Sequence, residues 1–273
     1  MRYERVKTLK DEDFKRCTGV SREMYEKMLA VLEKRMRDFG RPPKLSRADQ
    51  LLMTLMYWRE YRTEFHIGIT YGVSEGTVCR TIQKVEDVLM KSGEFRLPGR
   101  KALQSSDTLI EVVLVDATEQ PIERPPKKQR QHYSGKKKRH TQKTQLIVDQ
   151  KTQAIIATTF AKGSQHDFEL FKGSRCLFSK QIRILADSGY LGLSNLHANN
   201  QIPAKKSKLH SLTKEQKASN RQLSRECVLV ENVIRKLKIF RILSERYRNR
   251  RKRFSLGFNL IAAIYNLKLE CVK

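Results

Sequence analysis

Glu111-Val112-Val113-Leu114-Val115-Asp116-Ala117-Thr118-Glu119 is the stretch on which the fold of this chain turns. Its apolar run, Val112 to Val115, is mostly β-branched, is bounded by charge and is followed by Gln120-Pro121-Ile122. Such a run reads as a short strand buried on both faces, the kind found inside a sheet. It ends on a carboxylate. A strand-end Asp that merely opens a turn would look the same. In open α/β sheets, however, functional groups emerge at the carboxyl ends of central strands, and Asp116 is expected at such an edge.

A second stretch repeats the pattern. Ile182-Arg183-Ile184-Leu185-Ala186-Asp187-Ser188-Gly189-Tyr190 is a short apolar strand that ends on Asp187 and turns at glycine. Between the two lies a dense basic run, 125–140, containing Lys136, Lys137 and Lys138, which reads as a solvated loop or as a track along a phosphate backbone. Residues 141–149 and 153–160 then read as a hairpin beside the first strand. Gly163-Ser164-Gln165-His166-Asp167 has the spacing of a helix cap, which accounts for Asp167, while a lone His166 is more often structural than a ligand. If the helix after it crosses over so that the second strand lies parallel to the first, Asp116 and Asp187 emerge at the same edge.

Residues 201–225, with Lys205, Lys206, Lys208, Lys214 and Lys217, read as a mobile basic loop over that edge. A helix is expected from Ser224 to Lys238, with Val230, Val233, Ile234 and Leu237 as its buried stripe and Glu231, Cys227 and Lys238 along one flank. Glu231 is a third candidate carboxylate. Its rival Glu226 falls in the first turn, where acidic residues are favoured anyway. The end of the chain carries Arg250, Arg251 and Arg253 in a basic cluster, either a DNA contact or a solvated helix entrance. An apolar helix through Leu256, Leu260 and Ile264 follows and is expected to pack on the sheet.

The N-terminal third is helical. Helices are expected behind Ser21, ending near Phe39-Gly40-Arg41, and behind Ser46, Thr63 and Ser74, with Gly72-Val73 as a turn between the last two. This is helix-turn-helix punctuation, over about residues 46–90. The second helix of such a motif enters the major groove at its N-terminus, which here carries Ser74, Glu75, Thr77 and Arg80, with Lys84 nearer phosphate. A three-helix core piece would give the same apolar spacing. Residues 91–107 are polar and lack periodicity, so the domains are divided into 1–105 and 106–273.

Composition narrows the function. Across 273 residues, 56 Lys and Arg against 29 Asp and Glu leave a net charge of +27 spread along the chain. Double-stranded DNA is the expected partner of such an excess. The 5 cysteines, Cys17, Cys79, Cys176, Cys227 and Cys271, are single and irregularly spaced, arguing against a zinc site or disulfide framework. No stretch approaches the roughly 18 apolar residues of a membrane helix, and the N-terminus is charged at once. A cytoplasmic protein without membrane contact is expected.

Together these motifs carry a resemblance. Val115-Asp116-Ala117-Thr118-Glu119-Gln120-Pro121-Ile122, Tyr133-Ser134-Gly135-Lys136-Lys137, Gly163-Ser164-Gln165-His166-Asp167, Ala186-Asp187-Ser188-Gly189-Tyr190, Val230-Glu231-Asn232-Val233 and Asn249-Arg250-Arg251-Lys252-Arg253-Phe254 follow one another as in bacterial insertion-sequence transposases of the DDE superfamily. The chain resembles the group named after insertion sequence five, related to Harbinger transposases, over essentially its whole length. The resemblance implies an α/β fold: a ribonuclease-H-like mixed sheet with flanking helices, preceded by an all-α helix-turn-helix domain. It implies Asp116, Asp187 and Glu231 as catalytic ligands of Mg²⁺, with Mn²⁺ substituting, and Lys238 at a DNA-contacting place after the Glu. It further implies binding of terminal inverted repeats and target DNA, cleavage and 3′-hydroxyl transfer, and a dimer or larger assembly on DNA in the bacterial nucleoid. One departure stands out: Cys227 occupies a position usually taken by Arg. A DNA-binding regulator with an impaired site, or a nuclease without strand transfer, are the alternatives.

Overall fold

The computed structural model describes residues 2–38, 42–105, 109–206 and 211–270. The expected helix stop at Phe39-Gly40-Arg41, residues 106–108 of the boundary segment, Lys208 and Cys271 lie outside the described residues. Two compact units emerge, Met1–Arg96 with Leu237–Lys268, and Leu97–Lys236 with Leu269–Lys273. This differs from a single cut near residue 105, because the chain returns to its first unit after making its second.

The first unit contains α1 (Tyr3–Val6), α2 (Asp11–Thr18), α3 (Arg22–Arg35), α4 (Arg47–Glu60), α5 (Glu64–Tyr71) and α6 (Glu75–Ser92). The four expected caps form. Ser21, Ser46, Thr63 and Ser74 accept from the backbone N–H groups of Met24, Asp49, His66 and Thr77, satisfying donors that a helix start leaves orphaned. Asp49 does not complete a reciprocal capping box, since its carboxylate accepts from Tyr3 N–H at 2.8 Å and from Arg2 at 3.0 Å. α4 is buried all round from Asp49 to Trp58, as befits the central helix of a bundle. Gly72 takes φ 67° in the turn between α5 and α6, a left-handed backbone that glycine adopts without a Cβ penalty.

The second unit follows as β1 (Val112–Pro121), α7 (Gln129–His132), β2 (Tyr133–Ser134), β3 (Arg139–Asp149), β4 (Ile155–Lys162), α8 (Asp167–Ser174), β5 (Arg183–Ala186), β6 (Asn200–Gln201) and most of α9 (Lys214–Leu237). These strands make a mixed sheet. β1 pairs antiparallel with β3 and parallel with β5; β3 also pairs antiparallel with β4 and β2, and β5 pairs parallel with β6. Val113, Val115, Ile147, Ala157, Ile184 and Ala186 face a core closed by Phe171 of α8 and by Tyr190. This is the α/β, ribonuclease-H-like arrangement expected, with a parallel crossover through α8.

Three expectations need correcting. β1 does not end at Asp116 but runs on to Pro121, because residues after the apolar run continue to pair with β3 as far as Pro121↔Thr141. α9 begins at Lys214 and not near Ser224, so half of the expected loop is helix and Glu226 lies well inside it. Thr213 and Gln216 form a reciprocal capping box at its start, with Gln216 N–H donating to Thr213 Oγ1 at 3.1 Å and Thr213 N–H to Gln216 Oε1 at 3.0 Å. Finally, α10 (Phe254–Glu270) belongs with the helical unit and not with the sheet. Polar anchors just before it explain this: Tyr57 donates to Asn249 at 2.8 Å, Arg248 N–H to Tyr61 at 2.6 Å, and Arg253 to Glu86 at 2.8 Å.

Candidate active site

Strand register places the two aspartates. The parallel ladder of β1 and β5 ends at Val115↔Ala186, so Asp116 and Asp187 are the next residues on adjacent strands. Asp187 lies just past β5 and opens the turn that carries Gly189 and Tyr190. Asp116 is half-buried, and its Oδ1 accepts from Ala117 N–H at 2.7 Å. Asp187 is exposed; its Oδ1 accepts from Gly189 N–H at 2.8 Å, which fixes the turn that follows β5. Glu231 is exposed on α9, one helical turn beyond Cys227.

These acids lie within each other's fields. Burial pushes the Asp116 carboxyl up to about 6, and the charges of Asp187, Asp167 and Glu231 push the same way against the Ala117 N–H. Burial likewise holds the Cys227 thiol up, to about 11, helped by Asp116, Asp187, Glu226 and Glu231. Tyr190, fully buried, is raised well above the ordinary phenol range by burial and then by Asp116, Asp167 and Asp187. Glu226, the rival, is engaged elsewhere: Gln150 donates to it at 2.8 Å and Arg183 lies 3.5 Å away.

Among the described residues, no three His, Cys, Asp or Glu side chains close into a ready cage for an ion. The donor set is all carboxylate oxygen and its members repel one another, which suits a hard divalent cation that keeps several of its own waters.

The structure also brings to this edge residues that sequence reasoning set aside. Asp167 opens α8, but Ser164 does not cap the helix; its hydroxyl donates to the Gln131 carbonyl at 2.7 Å. Asp167 instead accepts from buried Lys143 at 2.8 Å. A charged Lys at an inward position of an otherwise buried strand was the available signal, since it demands an acidic partner.

The expected DNA contacts fall in several places. Ser74, Glu75, Arg80 and Lys84 are exposed and Thr77 partly so, and all but Glu75 line a groove of about 410 Å³ at the start of α6. Lys84 donates to the Arg37 carbonyl at 3.0 Å and stands 3.5 Å from Asp38. Lys136, Lys137 and Lys138 are exposed on the turn joining β2 to β3, a hairpin and not an open loop. Lys238 follows α9 and falls in the helical unit. Arg250 and Arg251 are exposed, whereas Arg253 is committed to Glu86 and Asp87, at 2.8 and 2.9 Å.

Residues 115–266 match the family described as DDE superfamily endonuclease, and residues 43–95 match the helix-turn-helix of DDE superfamily endonuclease. A protein of Microchaete diplosiphon described as a transposase for insertion sequence element IS702 is 48% identical, over 98% of this chain and 99% of its own length. Another of Streptomyces albus G, described as a transposase for insertion sequence element IS112, is 25% identical over 84% of each chain. No solved structure matches. With both family segments in order and a relative matched from end to end, the chain belongs to the DDE superfamily of endonucleases, among the transposases of insertion sequences.

Proposed function

We propose that this transposase binds the terminal inverted repeats of its element through the helical unit, cuts a phosphodiester at each end, and joins the freed 3′-hydroxyls to target DNA. The observation that carries the reading is the shared end of the β1–β5 ladder, where Asp116 and Asp187 emerge together and Glu231 adds its charge to theirs. Asp116, Asp187 and Glu231 would hold Mg²⁺, or Mn²⁺ in its place. When bound, such ions activate an attacking water or 3′-hydroxyl and stabilise the leaving oxygen. The chain's own part is to present the carboxylates. Ala117 N–H orients Asp116, Gly189 N–H orients Asp187, and α9 carries Glu231.

DNA recognition falls to the exposed start of α6, with Ser74, Glu75, Thr77 and Arg80 toward base edges and Lys84 toward phosphate. Lys136, Lys137, Lys138, Lys238, Arg250 and Arg251 supply sequence-independent phosphate contacts. Arg253 supports the helical unit from within. Cutting two ends in one complex calls for a homodimer or larger assembly on DNA, in the cytoplasm where the element resides.

A second reading, a DNA-binding regulator with an impaired site, draws on Cys227. A thiol faces the acids where a cation is usual in related transposases, so nothing at that position offsets their charge. One assay separates the readings: incubate the protein with a labelled duplex carrying the inverted repeats that flank its gene, with Mg²⁺ or Mn²⁺, alongside Asp187→Ala. Nicking at the repeat boundary that Asp187→Ala abolishes, with binding retained, is the expected result. Binding without cleavage in either ion overturns the enzyme reading in favour of the regulator, and cutting without joining leaves a nuclease.

A further inference from the structure

Asp167 is a fourth carboxylate at this edge, and the proposed chemistry gives it no task. Its Oδ1 accepts from Lys143 Nζ at 2.8 Å; the same ammonium donates to the Gln165 carbonyl at 2.7 Å and lies 3.7 Å from Glu119 Oε1. Lys143 is buried on β3, directly opposite Glu119 on β1. An ammonium at that depth persists only when paired. The far side of Asp167 meets the Asp187 turn. A Cβ placed on Gly189 would stand 2.9 Å from Asp167 Oδ2 and 3.0 Å from Asp187 Oδ1. The Asp167 carboxylate thus lies close beside the residue whose N–H holds Asp187, and a side chain at Gly189 would displace one acid or the other.

We infer that Lys143 and Asp167 are a positioning pair: Lys143 fixes the Asp167 carboxylate, which buttresses the Gly189 turn and so aims Asp187. This rests on the reading of Asp187 as a metal-holding residue. Asp167, with one oxygen occupied by an ammonium, stands behind the ligand set and not within it. Groups that orient ligands from behind are commonly worth about 10–100-fold in metal affinity or activity.

The test uses Lys143→Met, Asp167→Asn and the double variant of the full chain. Two readouts are followed: Mn²⁺ binding by calorimetry without DNA, and amide hydrogen exchange at Gly189 without metal. Each single change is expected to weaken Mn²⁺ binding about tenfold and to speed exchange at Gly189, and the double variant to be no worse than the worse single one. If Asp167 is itself a ligand, Lys143→Met frees its oxygen and tightens Mn²⁺ binding, which overturns the inference. Folded variants with unchanged Mn²⁺ affinity and unchanged exchange overturn it as well. Lys143→Gln, nearer in polarity, takes the place of Lys143→Met if that variant does not fold. A wild type that binds no Mn²⁺ and cuts no DNA defeats the metal reading alone, and Gly189 exchange then decides the pair.

Discussion

Glu86 in the helical unit and Asp116 in the sheet unit are both carboxylates withdrawn from water, and burial pushes both above the ordinary range. Their company is opposite. Glu86 accepts from Trp58 Nε1 at 3.1 Å and from Arg253 at 2.8 Å, and both oppose the shift. Asp116 has one backbone donor, and Asp187, Asp167 and Glu231 add to the shift. Equal chemistry thus sits in two settings: one charge has a cation beside it inside the protein, the other has only like charges and one N–H. Clustered charge without an internal partner fits the site proposed for Asp116, and charge settled by a partner fits a structural role for Glu86.

The largest effect should come from emptying the unsettled site. Asp116→Asn is expected to cut metal-dependent nicking by a factor on the order of a thousand or more, since metal-held charge stabilisation is worth several kcal/mol. Its melting temperature should hold or rise, because one of several repelling charges is gone. A fall in melting temperature would mean that Asp116 is settled internally after all.

Arg253→Ala should do the reverse. It strands Glu86 in the core and should cost about 2–3 kcal/mol in urea denaturation, below the range for a fully enclosed pair because the guanidinium is partly open to water. Nicking by the fraction that remains folded should be unchanged per molecule.

A smaller effect lies in pH. The folded protein protonates Glu86 more readily than the unfolded chain does, so its contribution is fullest at acid pH. It is lost as pH rises from the unfolded carboxylate range through the raised folded value. Wild type should therefore lose ground to Glu86→Gln over that rise, read from urea midpoints at successive pH values. A gap moving the other way would show the Arg253 pair outweighing burial. The smallest effects should be the neutral caps: Ser74→Ala and Thr213→Ala should each cost about 1 kcal/mol, alike in the two units because no buried charge is involved.

What the sequence made legible was whatever rests on neighbours along the chain. Ser21, Ser46, Thr63 and Ser74 cap the helices they announce, since a cap and its N–H are three residues apart. Thr213-x-x-Gln216 carried the same signal but was hidden among lysines that read as loop. β1 was seen only as far as its apolar run, because residues 117–121 owe their strand state to pairing with β3 and not to their own burial. Asp167 looked fully explained by the helix it opens, while its partner Lys143 lies on another strand. The C-terminal helix showed an apolar face but not which core it would join. Arg253 makes that choice through Glu86, 167 residues earlier.

The return of residues 237–268 to the first unit also sets an order of events during synthesis. A ribosome completes α6 and then residues 97–236 of the sheet unit before Arg253 exists, so Glu86 waits through most of translation for its cation. A nascent or truncated chain ending inside the sheet unit therefore has Trp58 as a partner for Glu86 but lacks the guanidinium that completes the pair.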